Sequence, residues 1–482
     1  MEPEQITICG AGNLAHVWIG LWGSRPNLRI NLLTRRPDEV LQGIEEGGKG
    51  GIEVLSREEL RVGADAEASR ERSHIGRLHR VSADPAEVIP GSDLILLTVP
   101  SQAREALLRS IAPHLRPSSS SSSSSSEGGE GEAAEAGSGR WKREEKRVMI
   151  GAVPAMGGFD YVAAHALGLW RDKAKMKHTE EAKEDGEGEH EAEEERDNKD
   201  GRSARPILFG LKDIPYTSRC LKVGQLARCL GPKAKLFVAV AKYGDEEEEH
   251  EKEVEERVRA KIEELHDIPT AILPHFLNIT LTPGNPIMHP SILWGRFGPC
   301  WDGIPLVEPP LFYQDMNELS ASTLKLADME VQLIRRAVER QSGGRVDLGF
   351  VWPLQEAQVK VYEEDIEDKT SLWSTIRSNK SYRGIRTPLK QTAKGLYTLD
   401  PHHRYFQEDV PFGLVLLRSI ADLVGVEVAV ISMLIRWAQR LMGKEYLDEA
   451  NRLQGRNIAE TAALSVYGID SLPALAALSP AK

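Results

Sequence analysis

The sequence predicts an α/β protein in which an N-terminal Rossmann-type doubly wound sheet is followed by a mostly α-helical C-terminal domain. Three observations support this prediction. A short apolar strand at residues 6–9 runs directly into a glycine-rich loop and an apolar helix. Strand and helix patterns then alternate up to about residue 268. Beyond Pro269 the spacing of the apolar residues becomes helical. Such alternation is typical of a parallel sheet covered by helices.

The first part of the chain contains several segments that are apolar enough to form buried strands. They lie at residues 6–9, 28–34, 93–100, 148–153, 207–210 and 235–240. Helical patterns follow at residues 15–22 and 103–111. A later charged segment carries apolar residues at helical spacing, namely Val254, Val258, Ile262 and Leu265. We expect these elements to form one dinucleotide-binding domain over residues 1–268.

The remaining part of the chain is predicted to be helical. Helical spacing occurs at residues 320–341, 356–367, 413–423 and 426–441, and near residues 447–464. The domain boundary is expected near residues 267–273. Residues 269–482 would then form a second domain, whose helices close a cleft against the first.

Two low-complexity stretches interrupt the first domain, at about residues 117–145 and 173–204. The first is rich in serine, glycine and glutamate, and the second is acidic. Such sequences bury too little apolar surface to offset the entropy of ordering, so we expect disordered surface loops. A tolerated loop expansion explains them most simply, and a regulatory or docking role is the alternative.

Composition excludes several classes of function. The net charge of −12 is mostly local, because residues 180–200 carry twelve acids and three bases. Nucleic-acid binding would require a basic face. No apolar run approaches the roughly 18 residues of a membrane span. The acidic N-terminus leaves no room for a signal peptide. The cysteines lack metal-ligand spacing, so no metal site is predicted. We expect a cytoplasmic protein, either a monomer or a homodimer.

The glycine-rich loop fits the G-x-G-x-x-A pattern of dinucleotide-binding domains. Its first glycine permits a tight turn, its second lets the backbone approach a pyrophosphate, and its alanine allows close packing of helix on strand. The helix N-terminus attracts phosphates. Its position directly after a strand makes the pattern specific. The predicted cofactor-binding residues here are Gly10, Ala11, Gly12, Asn13, Leu14 and Ala15, and Val99 and Pro100 after the later strand join them.

The end of the second strand bears on the choice of cofactor. An NAD-selective domain usually has an acidic residue there for the ribose 2′-hydroxyl. This chain has Thr34, Arg35 and Arg36 instead, with no acid before Asp38. Paired guanidinium groups suit a 2′-phosphate. The sequence therefore favours NADP(H), with NAD(H) possible. Two solvated loop arginines are the simpler alternative.

Four further blocks carry a resemblance to a known family. They are Asn-Pro-Ile-Met-His-Pro-Ser-Ile-Leu-Trp-Gly-Arg at residues 285–296, Pro-Tyr-Thr-Ser-Arg at 215–219, Tyr-Arg-Gly-Ile-Arg-Thr-Pro at 382–388, and Arg-Tyr-Phe-Gln-Glu-Asp-Val-Pro-Phe-Gly at 404–413. With the glycine loop, their order and spacing resemble the opine dehydrogenases, the octopine/nopaline dehydrogenase group. The resemblance covers nearly the whole chain apart from the two low-complexity stretches, which lengthen the nucleotide domain.

The resemblance implies an NAD(P)-dependent oxidoreductase acting on CH–NH bonds. Members condense an amino acid with a 2-oxo acid such as pyruvate and reduce the imine, using a helical domain of the 6-phosphogluconate dehydrogenase C-terminal type. His289 would be the acid/base, Asp409 its partner, and Arg404 the ligand of a substrate carboxylate. The chemistry agrees, because an imidazole can move protons near neutral pH and a guanidinium can grip a carboxylate with two hydrogen bonds.

Other residues are weaker candidates for substrate binding. Ser218 stands where some members place a cysteine that lines the amino-acid pocket. Asn285 could orient a substrate or His289, and Arg383 and Arg386 could hold a second carboxylate. Each could equally serve a turn or a loop. His402 and His403 lie near Arg404 and are rival general acids.

Several alternatives remain open at this stage. His289 and Asp409 could simply cap the helices that follow them, and Arg404 could be a structural ion-pair residue. A ketopantoate-reductase-like or 3-hydroxyacid dehydrogenase would have the same architecture but would use a catalytic lysine. The lysines available are Lys325, Lys360 and Lys390, and none lies in a matching pattern. A protein of another class, a cofactor-binding regulatory or interaction protein, would use the low-complexity stretches for docking.

Overall fold

The computed structural model describes residues 3–57, 71–115, 147–169, 205–243, 247–299 and 301–477. The two predicted insertions, at about residues 117–145 and 173–204, lie outside the described residues.

The strands form two main sheets and a small hairpin. In chain order they are β1 (Glu4–Cys9), β2 (Leu28–Leu33), β3 (Ile52–Arg57), β4 (Glu71–Gly76), β5 (Arg80–Ser82), β6 (Leu94–Leu97), β7 (Met149–Ala152), β8 (Ile207–Leu211), β9 (Tyr216–Lys222), β10 (Leu226–Pro232), β11 (Leu236–Val240), β12 (Thr270–Ile272), β13 (Leu389–Gln391) and β14 (Tyr397–Leu399).

The larger sheet has eight strands in the order β12-β11-β8-β7-β6-β1-β2-β5. Strands β5, β2, β1, β6, β7 and β8 are parallel, and β11 pairs with β8 in the antiparallel sense. Its central strands are buried on both faces, as their nearly unbroken apolar sequences require. Chain crossovers in such a sheet bring the carboxyl ends of its parallel strands to one edge, where ligands bind.

Helices cover this sheet and build the second half of the chain. They are α1 (Asn13–Trp22), α2 (Pro37–Gly47), α3 (Pro85–Val88), α4 (Ser101–Ile111), α5 (Phe159–Ala166), α6 (Glu248–His266), α7 (Leu277–Thr280), α8 (Asn285–Phe297), α9 (Glu318–Gln341), α10 (Leu354–Tyr362), α11 (Leu372–Ser378), α12 (Arg404–Gln407), α13 (Val415–Leu423), α14 (Ala429–Met442) and α15 (Leu472–Ala477). A π-helical turn, Val410–Leu414, leads into α13.

A smaller four-stranded sheet, in the order β4-β3-β10-β9, was not predicted. Strand β10 pairs in parallel with β3, which lies far away in the sequence, and antiparallel with its neighbour β9. Charged and glycine residues interrupt the apolar pattern of these strands, so the sequence gives only a weak signal. This sheet packs against α1, and the side chain of Asn13 accepts a hydrogen bond from the Cys220 amide at 2.9 Å.

Two of the predicted helices differ from the structure. The helix expected at residues 356–367 ends at Tyr362, where Glu363 leaves helical geometry. The helix expected near residues 447–464 is wrong, because that segment forms turns and short 3-10 helices. Asn451 takes a positive φ of 66° there. Gly455 packs so closely that a Cβ would lie 2.2 Å from the Glu445 carbonyl oxygen.

The predicted fold class is confirmed: a sheet dominated by parallel strands is followed by a helical C-terminal region. One apolar core joins the two. It contains Leu97 and Ile150 from the large sheet together with Ile287 and Val410 from the helical region. The carboxyl edge of the sheet is therefore held firmly against α8 and the segment around Val410.

Candidate functional site

The centre of the site is a buried pair formed by His289 and Asp409. His289 Nδ1 lies 2.7 Å from Asp409 Oδ2, and each residue is only 4% exposed. Burial raises the pKa of the Asp409 carboxyl, while the neighbouring His289 works in the opposite direction. A carboxylate on Nδ1 fixes the orientation and tautomer of the ring, so Nε2 is the nitrogen available for proton transfer.

Local structure explains how the pair is built. His289 is the fifth residue of α8, inside the helix and not at its cap. Asp409 does occupy the position before the π-helical turn, but its side chain makes no capping bond. Gly413 lets this turn approach the start of α8, since a Cβ there would lie 2.4 Å from Pro286 Cβ. The capping alternatives therefore do not explain these two side chains.

Aromatic residues surround the other face of the imidazole. The Tyr313 hydroxyl lies 3.1 Å from His289 Nε2. The Tyr405 ring stacks on the imidazole, with centroids 3.5 Å apart and planes inclined by 18°. Burial raises the pKa of both tyrosines, so both hydroxyls stay neutral near pH 7. Neither tyrosine was predicted. Tyr313 lies in no periodic segment, and Tyr405 belongs to a quoted block without an assigned role.

Arg404 begins α12 and is linked to the nucleotide domain through Glu408. Arg404 Nη2 donates to Glu408 Oε2 at 2.7 Å. The other carboxylate oxygen of Glu408 accepts from the backbone amide of Ser101 at 2.9 Å and from its hydroxyl at 3.1 Å. Ser101 is the first residue of α4, at the carboxyl end of β6. Glu408 therefore ties the guanidinium to the edge of the sheet, a contact that was not predicted.

The charges of Arg404, Glu408 and Arg104 offset one another. Burial tends to raise the pKa of Glu408, but Arg404, the Ser101 hydrogen bonds and Arg104 together hold it below its usual value. Burial lowers the pKa of Arg104 to about 10. The Arg404 side chain is 60% exposed. Its remaining donors can therefore hold a carboxylate while Glu408 fixes its position.

The other candidate substrate residues lie in different settings. Ser218 is buried in β9, and its hydroxyl donates to the Tyr216 carbonyl at 3.3 Å. Asn285 begins α8, and among the described contacts no hydrogen bond joins it to His289. Arg383 pairs with Glu367 at 2.7 Å, and Arg386 donates to the Pro309 carbonyl at 2.6 Å; both side chains are exposed.

The rival acids are not bonded to the central pair in the described contacts. His402 is exposed, and His403 Nδ1 accepts from the Tyr405 amide at 3.3 Å. Lys325 and Lys390 are exposed. Lys360 forms an ion pair with Glu356, with Nζ 3.5 Å from Oε1. These positions leave His289 as the best-placed proton carrier.

The glycine loop has the geometry that a pyrophosphate requires. Gly10 takes a φ of 107°, and a Cβ there would lie 2.8 Å from Thr98 Oγ1. A Cβ on Gly12 would meet nothing within 4 Å, so open space faces the start of α1. No side chain caps this helix, which leaves its first amides available to a phosphate. Leu14 and Ala15 are buried against the sheet. These residues fit a dinucleotide.

The residues expected to read the ribose lie at the end of β2. The Thr34 amide donates to the Ser82 carbonyl at 2.9 Å. Arg35 is exposed, and Arg36 forms an exposed ion pair with Glu39 at 2.9 Å. At the neighbouring strand end, Val99 is half-buried and Pro100 exposed. Both guanidinium groups are thus accessible to solvent at the end of this strand.

The described residues also bear on metals and membranes. In that part of the chain, no group of three or more His, Cys, Asp or Glu side chains is placed to hold a metal ion. None of the helices in the described ranges is both long and apolar enough to cross a bilayer.

Comparison with known proteins shows that the chain is similar to opine dehydrogenases. Residues 272–442 match the family model for the α-helical domain of NAD/NADP octopine/nopaline dehydrogenase. The chain is 27% identical to tauropine dehydrogenase of Arabella iricolor, over 98% of this chain and 99% of that protein. It is also 27% identical to octopine dehydrogenase of Mizuhopecten yessoensis, over 98% of each.

A solved structure extends the similarity to three dimensions. Octopine dehydrogenase with NADH and L-arginine superposes with a TM-score of 0.74 and 25% identity, over 99% of both chains. The relatives and the solved structure agree over nearly the full length, and the family model agrees with them over residues 272–442. The chain is therefore similar to opine dehydrogenases over nearly its whole length, and its helical region matches the α-helical domain of NAD/NADP octopine/nopaline dehydrogenase.

Proposed function

We propose that this protein condenses an amino acid with a pyruvate-like 2-oxo acid and reduces the resulting imine, and that it catalyses the reverse oxidation. The observation that carries this proposal is the buried His289–Asp409 pair beside Arg404. The pair can move protons during carbon–nitrogen bond formation, and the guanidinium can hold the oxo acid.

His289 would serve both proton transfers. The amine must lose a proton before it attacks the carbonyl carbon, and the carbinolamine oxygen must gain one to leave as water. Asp409 stabilises the imidazolium that forms between these events. Nε2 faces the Tyr313 hydroxyl at 3.1 Å. A substrate oxygen taking the place of this hydroxyl would meet the imidazole at hydrogen-bonding distance.

Arg404 would orient the oxo acid. Burial tends to lower the pKa of Arg404, but the charges of Glu408 and Asp409 raise it, so the group stays cationic at any working pH. Asn285, Ser218, Arg383 and Arg386 would be secondary contacts at most. Holding a carboxylate by two hydrogen bonds fixes the face that the 2-carbon presents to the hydride donor.

A nicotinamide dinucleotide supplies the hydride when bound. The loop Gly10–Ala15 would hold its pyrophosphate, and Val99 and Pro100 would line the strand end beside it. Arg35 and Arg36 favour NADP(H) over NAD(H). We further propose the division into a nucleotide domain at residues 1–268 and a substrate domain at 269–482, with small molecules as the partners of both; β12, just beyond this boundary, still completes the large sheet.

The test is a matrix of amino acids against 2-oxo acids, followed through the absorbance of NADPH or NADH. We expect oxidation that requires both substrates and a lower KM for NADPH. Oxidation with pyruvate alone would indicate a simple keto reductase, and a lower KM for NADH would contradict the cofactor preference. His289→Ala should reduce kcat by about 10²–10⁴-fold while cofactor binding persists. His402→Ala is the matched control, because His402 is exposed and outside the pair.

A further inference from the structure

A lysine lies at the carboxyl edge of the large sheet that the proposed chemistry does not use. Lys212 directly follows β8 and is only 9% exposed. Its ammonium donates to the Phe350 carbonyl at 3.0 Å, so this loop of the helical region covers it. It also lies 4.5 Å from the Trp352 ring centroid and 5.8 Å from that of Phe237. A buried ammonium is unfavourable unless an anion or a π face offsets its charge.

Three more lysines lie close to aromatic rings in this region. Lys235 lies 5.7 Å from the Phe237 ring, Lys360 lies 5.0 Å from the Trp352 ring, and Lys233 lies 4.7 Å from the Tyr362 ring. We call Lys212, Lys233, Lys235 and Lys360, with these rings, the lysine–aromatic cluster.

The charge of this cluster is only partly balanced. In the described contacts, the carboxylate of Asp213 acts on Lys212, and Glu356 Oε1 lies 3.5 Å from Lys360 Nζ. Among these contacts of the described residues, four ammonium groups face two carboxylates. Burial lowers the pKa of Lys212, and Asp213 only partly opposes this effect. An additional anion would therefore be attracted to this position.

The cluster lies within reach of the proposed site. Strands β6, β7 and β8 are consecutive neighbours, and the Ala155 amide after β7 donates to the Leu211 carbonyl at the end of β8. Glu408 is anchored to Ser101 at the end of β6. Because adjacent strands lie about 4.8 Å apart, the ends of β8 and β6 are separated by about 10 Å along this edge. A condensed amino acid and oxo acid has a comparable length.

We propose that the lysine–aromatic cluster binds the anionic side chain of the amino substrate, so that the preferred amines are dicarboxylic amino acids such as glutamate or aspartate. This inference rests on the proposed function. The Lys212 ammonium has three donors, of which Phe350 takes one, so two remain for a carboxylate. Trp352 and Phe237 would pack against the methylene groups of the side chain, and the rim lysines would attract the anion.

The decisive measurement uses the unmodified protein. With NADPH and pyruvate fixed, we expect kcat/KM for glutamate to exceed that for isosteric glutamine by about tenfold or more, because only glutamate completes the charge pairing. Arginine, with a cationic side chain, should be the poorest of the three. Equal values for glutamate and glutamine, or a preference for arginine, would overturn the proposal.

Substitutions of Lys212 test whether the preference for glutamate depends on the lysine–aromatic cluster. Lys212→Glu should reverse the order, so that arginine becomes better than glutamate. Lys212→Met should reduce the glutamate-to-glutamine ratio to near one, because it removes the ammonium and keeps an unbranched side chain. Lys394→Glu has the same charge change at an exposed turn and should leave the ratio unaltered. If the Lys394 variant shifts the ratio as much as the Lys212 variants, the effect is long-range charge and the cluster is not the binding site.

The two proposals fail in different ways. If no pair of amine and oxo acid oxidises the cofactor, the proposed function fails. If neutral or cationic amines react as well as glutamate, the condensation stands and the assignment of the cluster falls. The comparison of glutamate with glutamine needs no variant, so poor folding of Lys212→Glu cannot prevent a decision.

Discussion

Replacing Asp409 by asparagine tests whether its carboxylate is needed to orient His289. The change keeps the shape of the side chain but removes its negative charge from a contact of 2.7 Å. Both partners are buried, so water cannot replace the lost charge. The imidazolium that forms when His289 takes a proton would then lose its counter-charge.

The structure allows the magnitude to be estimated. A hydrogen bond to a charged group contributes about 1.5–3 kcal/mol. If this contribution is made only while His289 is protonated, the barrier rises by the same amount. Because about 1.4 kcal/mol corresponds to a tenfold change in rate, kcat should fall roughly 10- to 150-fold. KM for the cofactor should not change, since the glycine loop is separate from this pair.

Steady-state kinetics in the condensing direction would measure the effect. Asp470→Asn is a suitable control, because Asp470 is an exposed carboxyl in the same half of the chain. Circular dichroism would confirm that both variants fold. A kcat within about twofold of the unmodified value would refute the role of Asp409, since it would mean a contribution of less than about 0.4 kcal/mol.

Two further predictions concern stability. Glu408→Gln should lower the free energy of unfolding in urea by about 1–3 kcal/mol at neutral pH. Because the pKa of Glu408 is held below its usual value in the folded state, this difference should shrink as the pH falls below the usual carboxyl range and should vanish only below the folded-state pKa; a loss independent of pH would contradict the assignment. Asp160 is buried, one of its carboxyl oxygens has no hydrogen-bond partner among the described residues, and burial raises its pKa to about 7. Between about pH 4 and 7 the folded state therefore retains a proton that the unfolded state loses, so the free energy of unfolding should fall as the pH rises. Asp160→Asn should flatten this part of a plot of Tm against pH.

The sequence predicts the parts of the fold that rest on local patterns. Strand β1, the glycine loop and α9 have strong periodicity or a specific loop, and the structure has them at nearly the expected residues. The small sheet was missed because its central pairing joins β3 to β10, which lie far apart in the chain. The helix expected near residues 447–464 was wrong because Asn451 and Gly455 favour turns that apolar spacing does not reveal.

The site was less accessible to sequence reasoning. His289 and Asp409 are 120 positions apart, and only the family resemblance joined them in advance. Tyr313 and Glu408 were missed as functional neighbours, because their contacts depend on how the helical region packs against the sheet. Their residue types are common, and nothing in the spacing distinguishes them from ordinary surface residues.

The position of Glu408 has a consequence for how activity is gained and lost. Glu408 and Asp409 are consecutive, yet one bonds to Ser101, 307 positions away, and the other to His289. Bringing such distant parts of a chain together costs loop-closure entropy. These contacts therefore form late in folding, after the local structure. The assembled site therefore exists only when both halves are docked. Because one apolar core joins the two halves, loss of activity on heating should coincide with loss of the helical circular dichroism signal.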